Sequence, residues 1–174
     1  MSAIVFDTNV LLVANGAARQ MSDACRLICM ARLEKARSTE AVVVDGRFFI
    51  LGEYQHKLDP KRRPPGPGDR FVLHLLQNMA NATRVAQVNL TATNSEGTDF
   101  LEFPDDPELR DAFDPADRKF VAASNAHPDK PRIVQSADSK WLGWEEQLAT
   151  HGIRLEVLCR RELEVIRARK TKLK

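Results

Sequence analysis

The sequence predicts an α/β fold: a three-layer α/β/α sandwich with a mostly parallel central sheet. Three observations carry this expectation. Short β-branched or aromatic runs near 4–6, 41–44, 85–90, 133–137 and 153–158 alternate with helical patterns along the chain, and such alternation builds strand–helix–strand units and a parallel sheet. The first run, Ile4-Val5-Phe6, is wholly apolar, the pattern of a strand buried on both faces. The first run leads into Asp7 and the run at 133–137 into Asp138, at strand ends beyond which open parallel sheets bind their ligands.

After the first strand, Asn15-Gly16 breaks the chain. Ser22 or Asp23 can cap a helix to about Arg37. Cys25, Ile28, Cys29 and Leu33 recur at helical spacing as its buried face. Ala41 to Val44 is the second strand, and Asp45 is placed to cap the next helix, over about Arg47 to Leu58. That helix carries Ile50, Leu51, Tyr54 and Leu58 on its inner side. Glu53 lies three residues after Ile50 and four after Phe49, on or beside that face. A surface Glu53–Lys57 pair is the plain alternative for it.

Residues 59–68 contain four prolines and two glycines and read as a linker without regular structure. Its Lys61-Arg62-Arg63 cluster is either solvated charge or, beside an acidic metal site, a grip on a phosphate backbone. Asp69 can cap a third helix, Arg70 to Asn81, with Phe71, Leu75, Leu76 and Met79 inward. Val85–Ala92 and Thr98–Phe103 flank the turn Asn94-Ser95-Glu96-Gly97, so a projecting β-hairpin insertion is expected near 85–103. Pro104 to Arg110 reads as a loop with at most one helical turn and solvated acids. Asp114-Pro115-Ala116-Asp117 is a helix start, with Asp at the cap and Pro in the first position. Asp117 in a first turn suits the helix dipole as well as a site. Ile133 to Ala137 is a strand, Ser139 to Thr150 a helix with Trp141 and Trp144 in its packing, and Gly152 its stop. A last strand, Ile153 to Leu158, precedes a basic helix that frays toward Lys174. This tail is either solvated or an RNA-contacting arm.

The 174 residues suit a single domain over 1–160 with residues 161–174 as the basic tail. Apolar content of 43% and charged content of 29% are those of an ordinary globular chain, and a net charge of +2 does not by itself announce a nucleic-acid binder. No apolar run approaches the roughly 20 residues that cross a bilayer, and the N-terminus lacks a signal-peptide pattern. No membrane association and a cytoplasmic location are therefore expected. The odd set Cys25, Cys29 and Cys159, with no CxxC pair, reads as reduced, buried, small apolar residues without a redox or zinc role. His56, His74, His127 and His151 are scattered and form no catalytic or ligand cluster.

Asp7, Glu53, Asp117 and Asp138 fall where such a fold gathers side chains into one cleft. Carboxylates held close repel and raise one another's pKa unless a cation binds. Hard oxygen ligands favour Mg2+ or Mn2+ over zinc. One or two such ions can activate water and stabilise the attacking and leaving oxygens of a phosphodiester. Asn9 and Ser136, each two residues from an acid, can orient the carboxylates.

These residues resemble the PIN-domain family. The likeness rests on Ile4-Val5-Phe6-Asp7-Thr8-Asn9, Ile50-Leu51-Gly52-Glu53-Tyr54, Asp114-Pro115-Ala116-Asp117-Arg118-Lys119-Phe120 and Ile133-Val134-Gln135-Ser136-Ala137-Asp138, in that order over about residues 3–158. The resemblance implies a metal-dependent endoribonuclease that hydrolyses RNA, single-stranded above all, with Asp7, Glu53, Asp117 and Asp138 as metal-holding catalytic acids and Asn9 and Ser136 in support. Lys61, Arg62, Arg63 and Lys140 are the basic residues expected to touch the nucleic acid. A toxin neutralised by a small antitoxin protein and an RNA-processing nuclease are both family roles, and a homodimer is an expected assembly. Two departures stand out: Lys140 occupies a position where some members carry a further acid, and the chain is longer than the compact toxins. A phosphatase of the haloacid-dehalogenase type fits poorly, because Asn9 stands where its general acid would be. A PIN-like module that binds RNA or protein without turnover is the remaining alternative.

Overall fold

The computed structural model describes residues 2–172. The elements run β1 (Ser2–Phe6), α1 (Thr8–Ala14), α2 (Asp23–Thr39), β2 (Glu40–Asp45), α3 (Phe49–Lys57), α4 (Pro67–Gln77), β3 (Val85–Val88), α5 (Pro107–Ala112), a 3-10 turn (Pro115–Asp117), α6 (Arg118–Ala126), β4 (Ile133–Gln135), α7 (Trp141–Thr150), β5 (Leu155–Val157) and α8 (Arg160–Lys172). The five strands form one all-parallel sheet in the order β3-β2-β1-β4-β5, flanked by helices as a three-layer α/β/α sandwich requires. Strand order grows outward from β1 in one direction, then returns to its other side at β4. The reversal puts a crevice between the ends of β1 and β4, the place where open α/β sheets bind ligands.

Both faces of the central strands are dry. Val5, Phe6, Val42, Val43, Val44, Ile133 and Val134 are all buried. α1, α2 and α4 pack together, while α6 packs on β1 and β2 and touches α3. Phe6 meets Phe71 of α4 edge-on at 5.3 Å and carries the Arg32 guanidinium of α2 over its ring at 5.4 Å. Among the described residues no helix is long and apolar enough to cross a membrane.

Several expectations are corrected. Ile28 does not join the buried face of α2: it is exposed, and the inward arc is Cys25, Cys29, Arg32, Leu33 and Ala36. Arg32 can take a core position because Glu40 and Glu156 receive its guanidinium, at 2.5 and 2.6 Å. The proline-rich stretch is not a free linker. Buried Asp69 accepts bonds from the backbone of Asp59 and Gly66 and from Asn15 Nδ2 at 2.8–3.0 Å, which pins the loop to the end of α1. Helix α4 then begins at Pro67, since the lost N–H of proline is harmless in a first turn. Gly68 lies against α1 so closely that a Cβ there would meet the Leu11 carbonyl oxygen at 2.4 Å.

The hairpin near 85–103 is not a projection. β3 is the edge strand of the main sheet, parallel to β2, and only a single antiparallel bridge, Ala92 to Phe100, closes the following loop. Parallel pairing wins because β2 offers an open edge to a strand arriving from α4. Asp106 is not merely solvated: it caps α5, a helix longer than the single turn expected there, and bonds Gln147 and His151; nearby, Asp99 binds Arg110 and Arg118. The cysteines are not all reduced either. Cys25 and Cys159 form a disulfide, with Cα atoms 5.6 Å apart, and only Cys29 is a free buried thiol. The tail is helical through Lys172. Leu163 is buried and Glu162 accepts bonds from Ser22 N and Oγ, so the first half of α8 is docked on α2. Leu173 and Lys174 lie outside the described residues.

Candidate functional site

Asp7 follows directly on β1. Its backbone N–H donates to the Val134 carbonyl at 2.9 Å, which ties the end of β1 to β4. Its side chain is buried and caps α1, accepting from Asn9 N at 3.4 Å and from Asn9 Nδ2 at 3.1 Å. Among the described residues no cation is paired with it directly. Burial first, and then the charge of Asp117, push its carboxyl well above the ordinary value; the Asn9 bonds act in the opposite sense, and Glu53 adds a smaller rise.

Glu53 reaches the same place from α3. The helix is aimed by buried Asp45, whose carboxylate accepts from the backbone of Arg47, Phe49 and Ile50 at 2.8–3.0 Å, with Phe48 held at a left-handed φ of 65°. Tyr54 fastens the helix to β1 by donating its hydroxyl to the Phe6 carbonyl at 2.5 Å. Glu53 accepts the Thr8 hydroxyl at 2.5 Å and the Lys119 ammonium at 2.6 Å. Its alternative as a surface partner of Lys57 is not realised.

Asp117 closes the 3-10 turn before α6. It makes no side-chain cap bond to that helix; the capping acid is Asp114, which accepts from Ala116 N at 3.1 Å. Asp117 is thus free of the helix-start role. Burial first, then Asp114 and Asp138, push its carboxyl up to about 7, against the lowering effect of Lys119 and Lys140. Asp138 follows β4 across the crevice and has Lys140 Nζ at 3.5 Å. The four acids therefore gather at one end of the sheet, astride the β1–β4 reversal.

Other expected residues are placed differently. Asn9 does orient Asp7. Ser136 does not reach a carboxylate: its buried hydroxyl has no hydrogen-bond partner of good geometry and lies beside the Cys29 thiol. β4 and β5 residues in register share a face, and Val134 pairs with Glu156, which binds Arg32 of α2; by alternation Ser136 points to that α2 side. Lys61, Arg62 and Arg63 are exposed on the loop pinned to the far end of α1. Seven residues of helix separate that end from Asp7, about 10 Å at 1.5 Å per residue. The Arg63 guanidinium turns back on the Lys61 and Arg62 carbonyls, and Arg62 lies 3.8 Å from Asp69. Lys140 bridges Asp114 and Asp138.

Lys119 is a residue of this cluster that the sequence did not single out. It is buried, pairs with Glu53 and donates to the Ala116 carbonyl. Its sequence signal is its place two residues after Asp117, next to the apolar run Phe120-Val121-Ala122-Ala123.

The donor set fits a hard divalent ion. Asp7 is a buried acid with no cation of its own, and Asp117 raises the cost of ionising it, so an added positive charge relieves both. The site is not closed around an ion, however. Among the described residues the three potential ligand atoms lying within 4.8 Å of one another are the sulfurs of Cys25, Cys29 and Cys159, and no three carboxylates come that close. Lys119 pairs with Glu53, and Lys140 with Asp114 and Asp138, at this end of the sheet. Comparison with protein-family models, with curated proteins and with solved structures finds no match.

Proposed function

We propose that this chain is a divalent-metal-dependent phosphodiesterase of the PIN type that hydrolyses single-stranded RNA. The observation that carries the reading is the pairing of buried, cation-free Asp7 with Asp117, in a cleft that also receives Glu53 and Asp138. Asp7 and Asp117 would hold Mg2+ or Mn2+, with Glu53 and Asp138 as outer ligands. The bound ion would lower the pKa of water and offset charge on the phosphodiester oxygens.

The chain's own groups have distinct tasks around that chemistry. Asn9 fixes the rotation of the Asp7 carboxylate through its side-chain amide. Thr8 orients Glu53. Lys119 and Lys140 compensate Glu53, Asp114 and Asp138. With an ion held by the acids, the two ammonium groups would be available to receive phosphate oxygens. Tyr54 holds α3 to β1 and keeps the inner wall of the cleft dry.

A module that binds RNA or a protein partner without turnover is the second reading. It is favoured by the ion pairs of Lys119 and Lys140, which already quench part of the acidic charge. The test is cleavage of single-stranded RNA in manganese, with and without chelator, beside Asp7→Asn. A nuclease cuts only with the metal, and the variant keeps its fold but not its cleavage. Retained RNA affinity with no cutting under any metal would decide for the binding module.

A further inference from the structure

We propose that Cys25, Cys29 and Cys159 form a second centre, chemically separate from the carboxylates: a three-thiol site, buried at Cys25 and Cys29 and half-buried at Cys159, that binds one zinc ion when reduced and closes to the Cys25–Cys159 disulfide when oxidised. The three sulfurs lie within 4.8 Å of one another. Cys25 and Cys29 are four residues apart on α2 and so share one face. Cys159 comes from the corner between β5 and α8, held at a left-handed φ of 57°. Tetrahedral zinc with Zn–S bonds of about 2.3 Å spaces its sulfurs by about 3.8 Å. The three side chains thus need only open the disulfide and adjust slightly.

A second observation points to an ion. Ser136 is fully buried and its hydroxyl lacks a partner of good geometry beside Cys29. Such an orphan group is costly in a neutral site. A metal-bound thiolate at Cys29 is a far better acceptor than a thiol and would satisfy it. The acidic side chain of Glu162, felt at the Cys29 thiol, also favours a cation there. Thiolates select zinc-like ions, whereas the carboxylates select magnesium or manganese, so the two sites do not compete. Both states of the sulfur centre tie α8 to α2.

The interconversion balances with a dithiol as reductant. One of its thiolates attacks a disulfide sulfur and its second thiol resolves the mixed disulfide. Two electrons pass to the protein, Cys25 and Cys159 take up two protons, and the reductant leaves as its own disulfide. Zinc binding then releases the thiol protons to solvent.

The test uses the full chain, reduced with dithiothreitol, desalted without oxygen and titrated with Co2+ as a spectroscopic stand-in for zinc. A thiolate-to-cobalt charge-transfer band should saturate at one equivalent and vanish when zinc is added. Cys29→Ser should lose the band, while its oxidised form should stay folded and keep the Cys25–Cys159 disulfide, which does not involve that residue, at a lower Tm set by the polar atom placed in the core. Asp7→Asn should keep the band in full, which separates this centre from the carboxylate site. A reduced, folded chain with all three thiols titratable and no charge-transfer band would overturn the proposal, as would a band that survives in Cys29→Ser.

Discussion

Replacing Asp117 by Asn should make the metal-free protein more stable at neutral pH. The carboxyl is displaced from an ordinary 3.8 to about 7 in the fold. A raised folded pKa means that the fold keeps its full stability below the unfolded value and loses it as pH rises toward the folded one. Ionising Asp117 therefore costs about 4 kcal/mol, spread between about pH 4 and pH 7. Most of that cost is burial and part is shared with Asp114 and Asp138, so one neutral substitution recovers a fraction, about 2 kcal/mol. In a chain of this length that is a rise in Tm of roughly 4–8 °C. Circular-dichroism melts of parent and Asp117→Asn in chelator, at pH 4 and pH 8, measure it. The two should coincide at pH 4 and separate at pH 8 with the variant higher. An equal offset at both pH values, or a less stable variant at pH 8, would refute the electrostatic account of the cleft.

Four further outcomes follow from the same geometry. Manganese at 100 times its Kd should stabilise the parent by about 2.7 kcal/mol at pH 8; the effect should shrink at pH 5, where Asp117 is protonated, and be blunted in Asp7→Asn, all read from Tm. Arg32→Ala leaves Glu40 and Glu156 facing each other in a largely buried setting, so urea melts should show a loss of about 3–5 kcal/mol. Tyr54→Phe removes the hydroxyl that satisfies the Phe6 carbonyl and should cost about 1–3 kcal/mol in the same assay. Reduction in chelator frees two cysteines 134 residues apart and should lower stability by up to about 4–5 kcal/mol on loop-closure grounds, a loss that added zinc should partly restore.

Much of the fold was legible because it is local. The β-branched runs, the Ser22 cap and the Asp114-Pro115 start each depend on neighbours a few residues away, and they produced strands and helices near the expected bounds. The partner of β3 and the start of α4 were misread for contrasting reasons. A weak strand such as Val85–Val88 is placed by the partner it finds, and β2 had an open edge. The proline stretch looked unstructured because the acceptor that organises it, Asp69, works through Asn15, 54 residues away.

The site divides along the same line. Sequence alone determined that Asp7 and Asp138 stand at strand ends, because burial pattern and chain direction fix that locally. It also determined that a helix starts at Asp114-Pro115, with Asp117 in its first turn. Only the tertiary structure decided that Lys119 turns inward to Glu53, that Lys140 answers two acids, that Ser136 faces sulfur instead of carboxylate, and that Cys25 and Cys159 meet. Local pattern sets which way a backbone runs. Which charge answers which, and which sulfur finds which, depends on distances across the sheet, and no span of neighbouring residues contains those.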